Sequence, residues 1–180
     1  MESIPTPIPG CFQLQPRLFI DNRGTFLKTF HRETFLKMGL VADFPEQFFS
    51  TSRKGVLRGL HFQTPPAAHV KLISCLAGSV LDVVVDLRRG SPTFGKHAMF
   101  DLSAENASLL YVPVGLAHGF YTLSDSATVL YNVSTMHSPP NDTGIRWNSA
   151  NIPWPDPNPI LSPRDAAFPS FAQFKTPFTF

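Results

Sequence analysis

The stretch that most constrains this chain is Ser79-Val80-Leu81-Asp82-Val83-Val84-Val85-Asp86-Leu87. Leu81, Val83, Val85 and Leu87 fall on one side of it, and Val80, Asp82, Val84 and Asp86 on the other. That is the two-residue period of a β-strand. The stop signal Arg88-Arg89-Gly90-Ser91-Pro92 follows at once. The runs His69–Leu76, Ser108–Val112 and Thr128–Val133 also read as strands; Gly78 closes the first of them, and Pro113 and Gly115 the second. Short strands with turn signals about every ten residues predict an all-β sandwich or barrel. One short helix is expected over Arg32–Met38, stopped by Gly39. The 18 prolines concentrate towards both ends. From about residue 151 onwards, Pro and Phe predict a tail that wraps a single domain of residues 1–180.

Lys71, Asp82 and Tyr131 stand out among the polar groups within the predicted strands. On the inner face of a sandwich such groups are costly unless paired or kept for work in a cavity. On the solvent face they are unremarkable, and alternation alone leaves both placements open. His61, in Arg58-Gly59-Leu60-His61-Phe62-Gln63, has an apolar, strand-like setting. A lone histidine is more often structural than catalytic. Arg58 beside it suggests an anionic ligand, and a carboxylate partner would fix its tautomer and raise its basicity.

A metal site needs a tighter pattern. Small barrels that bind metal present two histidines one residue apart, but position 59 is Gly. Of the six histidines only His61, His69 and His118 could still meet in space, and the expectation is no metal and no cofactor. The net charge of +2, with no stripe of Lys and Arg, argues against nucleic acid. Cys11 and Cys75 lie far apart and read as reduced thiols. No stretch has the character of a signal peptide or a membrane span, so a cytoplasmic protein is expected.

The motifs, taken in order, resemble those of the dTDP-4-dehydrorhamnose 3,5-epimerase family, the RmlC-like cupins. They are Asp21-Asn22-Arg23-Gly24-Thr25-Phe26, Lys54–Gln63, Lys71-Leu72-Ile73, Gly78–Arg88, Gly90–Gly95, Val112-Pro113, Gly115–Phe120, Tyr131, Gly144–Asn148 and Ser162-Pro163-Arg164-Asp165. Together they span about residues 12–170 with consistent spacing. The resemblance implies a cupin-type jelly-roll β-sandwich with a few short helices, acting as a homodimer without metal or organic cofactor. Its substrate would be a 4-keto-6-deoxy sugar on a nucleoside diphosphate. It would be inverted at C3, C5 or both by deprotonation to an enolate and reprotonation from the other face.

Carried over position by position, the resemblance makes His61 the base and Asp165 its orienting carboxylate. Lys71 becomes the cation at the enolate oxygen and Tyr131 the acid on the opposite face. Asp82 would hold Lys71 in place. Arg23 and Arg58 match phosphate and sugar contacts, and Phe26 packs against the nucleotide. Gln47, Asp82 and His118 complete the expected binding set.

The chain departs from the family's pattern where the nucleotide is read. Lys28 stands where a Glu is usual, and Glu46-Gln47-Phe48-Phe49 replaces Gln-Asp-Asn-His. Met136 and His137 replace two tyrosines. Reversed charge and lost amides predict a changed nucleotide, CDP or GDP in place of dTDP, or a sugar other than the rhamnose precursor. Two other functions fit the same fold. One is a 3,4-ketoisomerase, which also needs a histidine base; the other is a sugar-nucleotide-binding cupin without catalysis. The Arg-Gly-Leu-His run with Ser-x-x-Asp favours the epimerase over the first. Retention of His61, Lys71, Tyr131 and Asp165 together argues against the second.

Overall fold

The computed structural model describes residues 1–180. Two antiparallel sheets face each other. The six-stranded sheet contains β1 (Glu2–Pro5), β2 (Phe12–Gln15), β5 (Glu46–Arg53), β7 (Lys71–Ala77), β10 (Leu109–Val112) and β12 (Ser126–Val133). Its order is β1-β2-β10-β7-β12-β5, so β5 is an edge. The five-stranded sheet contains β6 (Leu57–Gln63), β8 (Ser79–Asp86), β9 (His97–Ser103), β11 (Leu116–Thr122) and β13 (Asp142–Gly144), in the order β13-β6-β11-β8-β9. Apart from the consecutive pairs β1–β2 and β8–β9, neighbours in each sheet are distant in sequence, the crossing pattern of a jelly roll, as the alternation and the motifs lead one to expect. β3 (Leu18–Asp21) and β4 (Gly24–Leu27) form a separate hairpin that joins neither sheet. Helix α1 (Arg32–Lys37), the single turn α2 (Pro163–Ala166) and a 3-10 turn at Phe171–Gln173 complete the elements.

The alternation read along Ser79–Leu87 sorts residues into two different cores. Val80 and Val84 join Ile73, Leu110, Phe120 and Val129 between the sheets. Val83, Val85 and Leu87 face the other way, where Ile145, Ile152 and Phe178 from the last third of the chain cover them. The outer face of the six-stranded sheet is closed in the same manner. Leu14, Leu72, Leu109 and Tyr111 pack there against Phe35 of α1 and against Leu40 and Ala42. Each sheet is therefore apolar on both faces, and every residue of β10 and β11 is buried.

The inner face changes character towards one end of the sandwich. Lys71, Asp82 and Tyr131 all lie on it, with 8%, 0% and 7% of their surface exposed. His118 pairs with His61 across β11 and β6, so both imidazoles project to the same side. No helix is long and apolar enough to cross a membrane.

Candidate active site

His61 enters the cavity because β6 and β11 approach unusually closely just before it. Gly59 has φ +131°, and a Cβ there would lie 2.6 Å from the Gly119 Cα and 2.9 Å from the His118 carbonyl oxygen. Only glycine permits that contact. The same close approach leaves the Gly59 amide free to serve the site. Its N–H donates to Asp165 Oδ2 at 3.0 Å, while Asp165 Oδ1 lies 2.8 Å from His61 Nε2. Asp165 comes from α2, whose N-cap Ser162 accepts a hydrogen bond from the Asp165 amide at 3.0 Å. Burial acts to raise the Asp165 carboxyl, but His61, the Gly59 amide and Ser162 together hold it below the usual carboxylate range. A carboxylate on Nε2 means that this nitrogen carries the ring proton, which leaves Nδ1 with the free lone pair.

A second imidazole–carboxylate pair lies deeper. His118 Nε2 is 2.8 Å from Asp82 Oδ2, with both side chains almost fully buried. Burial pushes His118 down and Asp82 up, each towards its neutral form. Asp82 was expected to hold Lys71, but its hydrogen bond goes to His118 and its other oxygen has no partner. The Lys71 ammonium instead donates to the His61 carbonyl oxygen at 3.1 Å. Burial brings Lys71 down to about 8, against the pull of Asp142 and Asp82.

Tyr131 closes the opposite wall. Burial drives its phenol well above the ordinary value. The Phe48 ring stacks on it at 4.8 Å with an interplanar angle of 16°, and the His118 ring meets it edge-on at 6.0 Å. His61, Lys71, His118 and Tyr131 all line one cavity of about 420 Å³, with Arg58 at its side. That volume suits a hexose with part of its nucleotide. Glu46, Phe48 and His137, three of the positions where the chain departs from the family, also line it.

Several expected residues lie elsewhere. Arg23 and Phe26 sit on the β3–β4 hairpin, outside this cavity, and Arg23 is tied to Asp21 in an exposed ion pair. Gln47 points to the outer side of β5 and bonds the Asn132 side chain at 2.7 Å. Strand alternation places it on the face opposite Glu46 and Phe48. Ser50 and Asp142 line the cavity but carry no sequence signal of their own, and Arg164, from the Ser162–Asp165 motif, lines it as well. No three His, Cys, Asp or Glu side chains come together in a set that could hold a metal ion.

Comparison with known proteins gives this arrangement its family. The model of the dTDP-4-dehydrorhamnose 3,5-epimerase family matches residues 5–173. The chain belongs to the dTDP-4-dehydrorhamnose 3,5-epimerase family. One of the family's enzymes, dTDP-4-dehydrorhamnose 3,5-epimerase of Shigella flexneri, is 45% identical over 168 residues, covering 92% of this chain and 93% of that protein. The crystal structure of the Legionella pneumophila 3,5-epimerase with dTDP-4-keto-L-rhamnose superimposes with a TM-score of 0.92 at 38% identity, over 97% and 94% of the two chains. A 3′-monoepimerase from Streptomyces bikiniensis, solved with dTDP-quinovose, has a TM-score of 0.89 at 34% identity, over 93% and 87%. Membership makes this protein an isomerase, a nucleotide-sugar epimerase of jelly-roll fold.

Proposed function

We propose that the protein epimerises a dTDP-linked 4-keto-6-deoxyhexose, with His61 as base and Tyr131 as acid. The observation that carries this reading is the arrangement of the two groups. An imidazole with a free Nδ1 and a phenol held protonated share one cavity, with a buried ammonium between the sheets beside them. His61 takes the proton from the carbon next to the C4 ketone, and Asp165 stabilises the imidazolium that results. Charge develops on the ketone oxygen, where Lys71 stabilises it in a nearly dry site. Tyr131 returns a proton to the other face of the planar enolate, and the centre is inverted. Arg58, exposed at the cavity wall, suits the diphosphate. Deuterium appearing at the inverted carbon in D2O, read by NMR, tests this reading; no exchange would favour a binding protein.

The expectation of CDP or GDP gains no support. The matched relatives are enzymes of dTDP sugars or structures holding dTDP ligands. The structural argument for it also weakens, since Gln47 faces away from the cavity. We expect dTDP to bind at least about tenfold more tightly than CDP or GDP, the scale of one base-specific hydrogen bond to a charged group. Calorimetric titration of the three nucleotides decides it, and equal affinities would return the case for a changed nucleotide.

The hairpin supports a homodimer. A two-stranded hairpin is marginal alone, and this one exposes Phe19, Ile20 and Phe26 at 48%, 72% and 61%. β5 offers an unpaired edge on which Phe49 is 67% exposed. Docking the hairpin on a second copy would cover both surfaces and bring Arg23 and Phe26 towards that copy's cavity. Sedimentation equilibrium should return twice the 19.9 kDa chain mass. A monomer at micromolar concentration would remove this assembly.

A further inference from the structure

The inner face of the edge strand β5 presents Glu46, Phe48, Ser50 and Ser52 to the cavity end of the sandwich. Three of the four have clear employment, and the first of them, Glu46, accepts a hydrogen bond from the His137 amide. Phe48 lies directly opposite Tyr131 in register and stacks on its ring. Ser52 accepts a hydrogen bond from Arg58 Nε at 2.8 Å. Ser50, between them, lies opposite Val129 and lines the cavity. Its Oγ is buried and has no hydrogen-bond partner in the folded chain. A buried unpaired hydroxyl is costly, and such groups persist where another state of the site uses them. The group placed to use it is Tyr131: Phe48 lies directly opposite Tyr131, so Ser50, two residues further along the same face of β5, is its diagonal neighbour, and both line the cavity.

From the register, the ring stack and the unpaired hydroxyl, we infer that Ser50 is the positioning residue of the Tyr131 acid. This rests on the reading of Tyr131 as that acid. Phe48 fixes the plane of the phenol, and Ser50 fixes and supports its oxygen. When Tyr131 gives up its proton, the O–H bond breaks, a C–H bond forms from the enolate electron pair, and the enolate oxygen becomes the ketone again. A phenolate remains in a buried site. A serine hydroxyl can rotate to donate to it, and hydrogen bonds to charged oxygens are the strong ones. Ser50 loses no proton in this step. Water restores the proton to the phenolate after the product leaves.

The test uses the full-length enzyme, a dTDP-linked 4-keto-6-deoxyhexose and D2O, with deuterium read separately in recovered substrate and in inverted product. His61 acts alone in exchange without inversion; inversion also needs Tyr131. Ser50→Ala should lower inversion by about tenfold or more, the scale of one hydrogen bond to a charged group. KM and exchange into uninverted substrate should hold, so the ratio of exchange to inversion rises. Ser50→Thr, which restores the hydroxyl, should recover the wild-type ratio. An unchanged ratio in Ser50→Ala, or a loss of both processes together, overturns the inference. Tyr131→Phe separates the two layers. Wild-type inversion in that variant sinks the acid reading itself. Loss of inversion there, alongside a normal Ser50→Ala enzyme, sinks only the role of Ser50.

Discussion

Substituting Asn for His61 should reduce deuterium exchange at the carbon beside the ketone by about 10²–10⁴, the contribution of a positioned base. The fold should survive. The imidazole projects into the cavity with 29% of its side chain exposed, and Asp165 keeps its hydrogen bond from the Gly59 amide. Asn retains polarity and rough volume but offers no nitrogen able to accept a proton. The loss should therefore appear in the rate of exchange, with dTDP affinity unchanged. NMR in D2O reads the first and calorimetry the second. Exchange near the wild-type rate would remove His61 from the role of base, and a parallel loss of dTDP binding would make its role one of structure.

Lys71→Met should cost nearly as much, about 10²–10³ in kcat, the range for removing one preorganised group from a developing oxyanion. Met fills similar volume in a strand buried on both sides. In the proposed role, Lys71 should also give the reaction a distinctive alkaline limb. Its pKa in the folded protein is about 8, lowered from 10.5 chiefly by burial. The cation is present below about 8 and is lost as the pH rises through that value, so wild-type kcat/KM for substrate should fall there. The sign for stability is opposite. Between the folded and unfolded values the unfolded chain binds more protons, so this group favours folding as pH rises from about 8 towards 10.5. An enzyme that loses activity above pH 8 while holding or gaining thermal stability would carry that signature. The residual rate of Lys71→Met should lack the limb. A limb that persists in the variant would assign it to another group.

The sequence was legible where one face of a strand differs from the other or where a stop signal stands close by. The strand at Ser79–Leu87, those near residues 71–77, 109–112 and 126–133, and the helix at 32–37 all appear within a few residues of expectation. β11 escaped because both of its faces are buried and it contains Gly119, which leaves no alternation to read. β5 escaped for the opposite reason: it is an exposed edge whose polar and aromatic residues follow no simple period. The site was legible as chemistry but not as geometry. Asp82 looked like the partner of Lys71 because both interrupt strands. Which neighbour it reaches is set by the pairing of β8 with β11, which no local pattern encodes. Arg23 and Phe26 were assigned to the site by motif, yet their hairpin lies apart from the cavity of their own chain. Ser50 could not be found at all from sequence, since one serine in Ser50-Thr51-Ser52 differs from its neighbours only in the direction it points.

The carboxylate beside His61 arrives late. Asp165 is 104 residues further along the chain. The segment that delivers it is pinned by the bridge between Val56 and Ile160, and further on the chain is tied again by the bridge between Arg89 and Thr179. A ribosome thus makes every strand of both sheets before it makes Asp165. During that interval the nascent protein holds an imidazole without its partner and has exposed the sheet surface that Phe178 later covers. If Asp165 orients the base as proposed, a product cut short ahead of it should carry His61, Lys71 and Tyr131 and still fail to turn over its sugar.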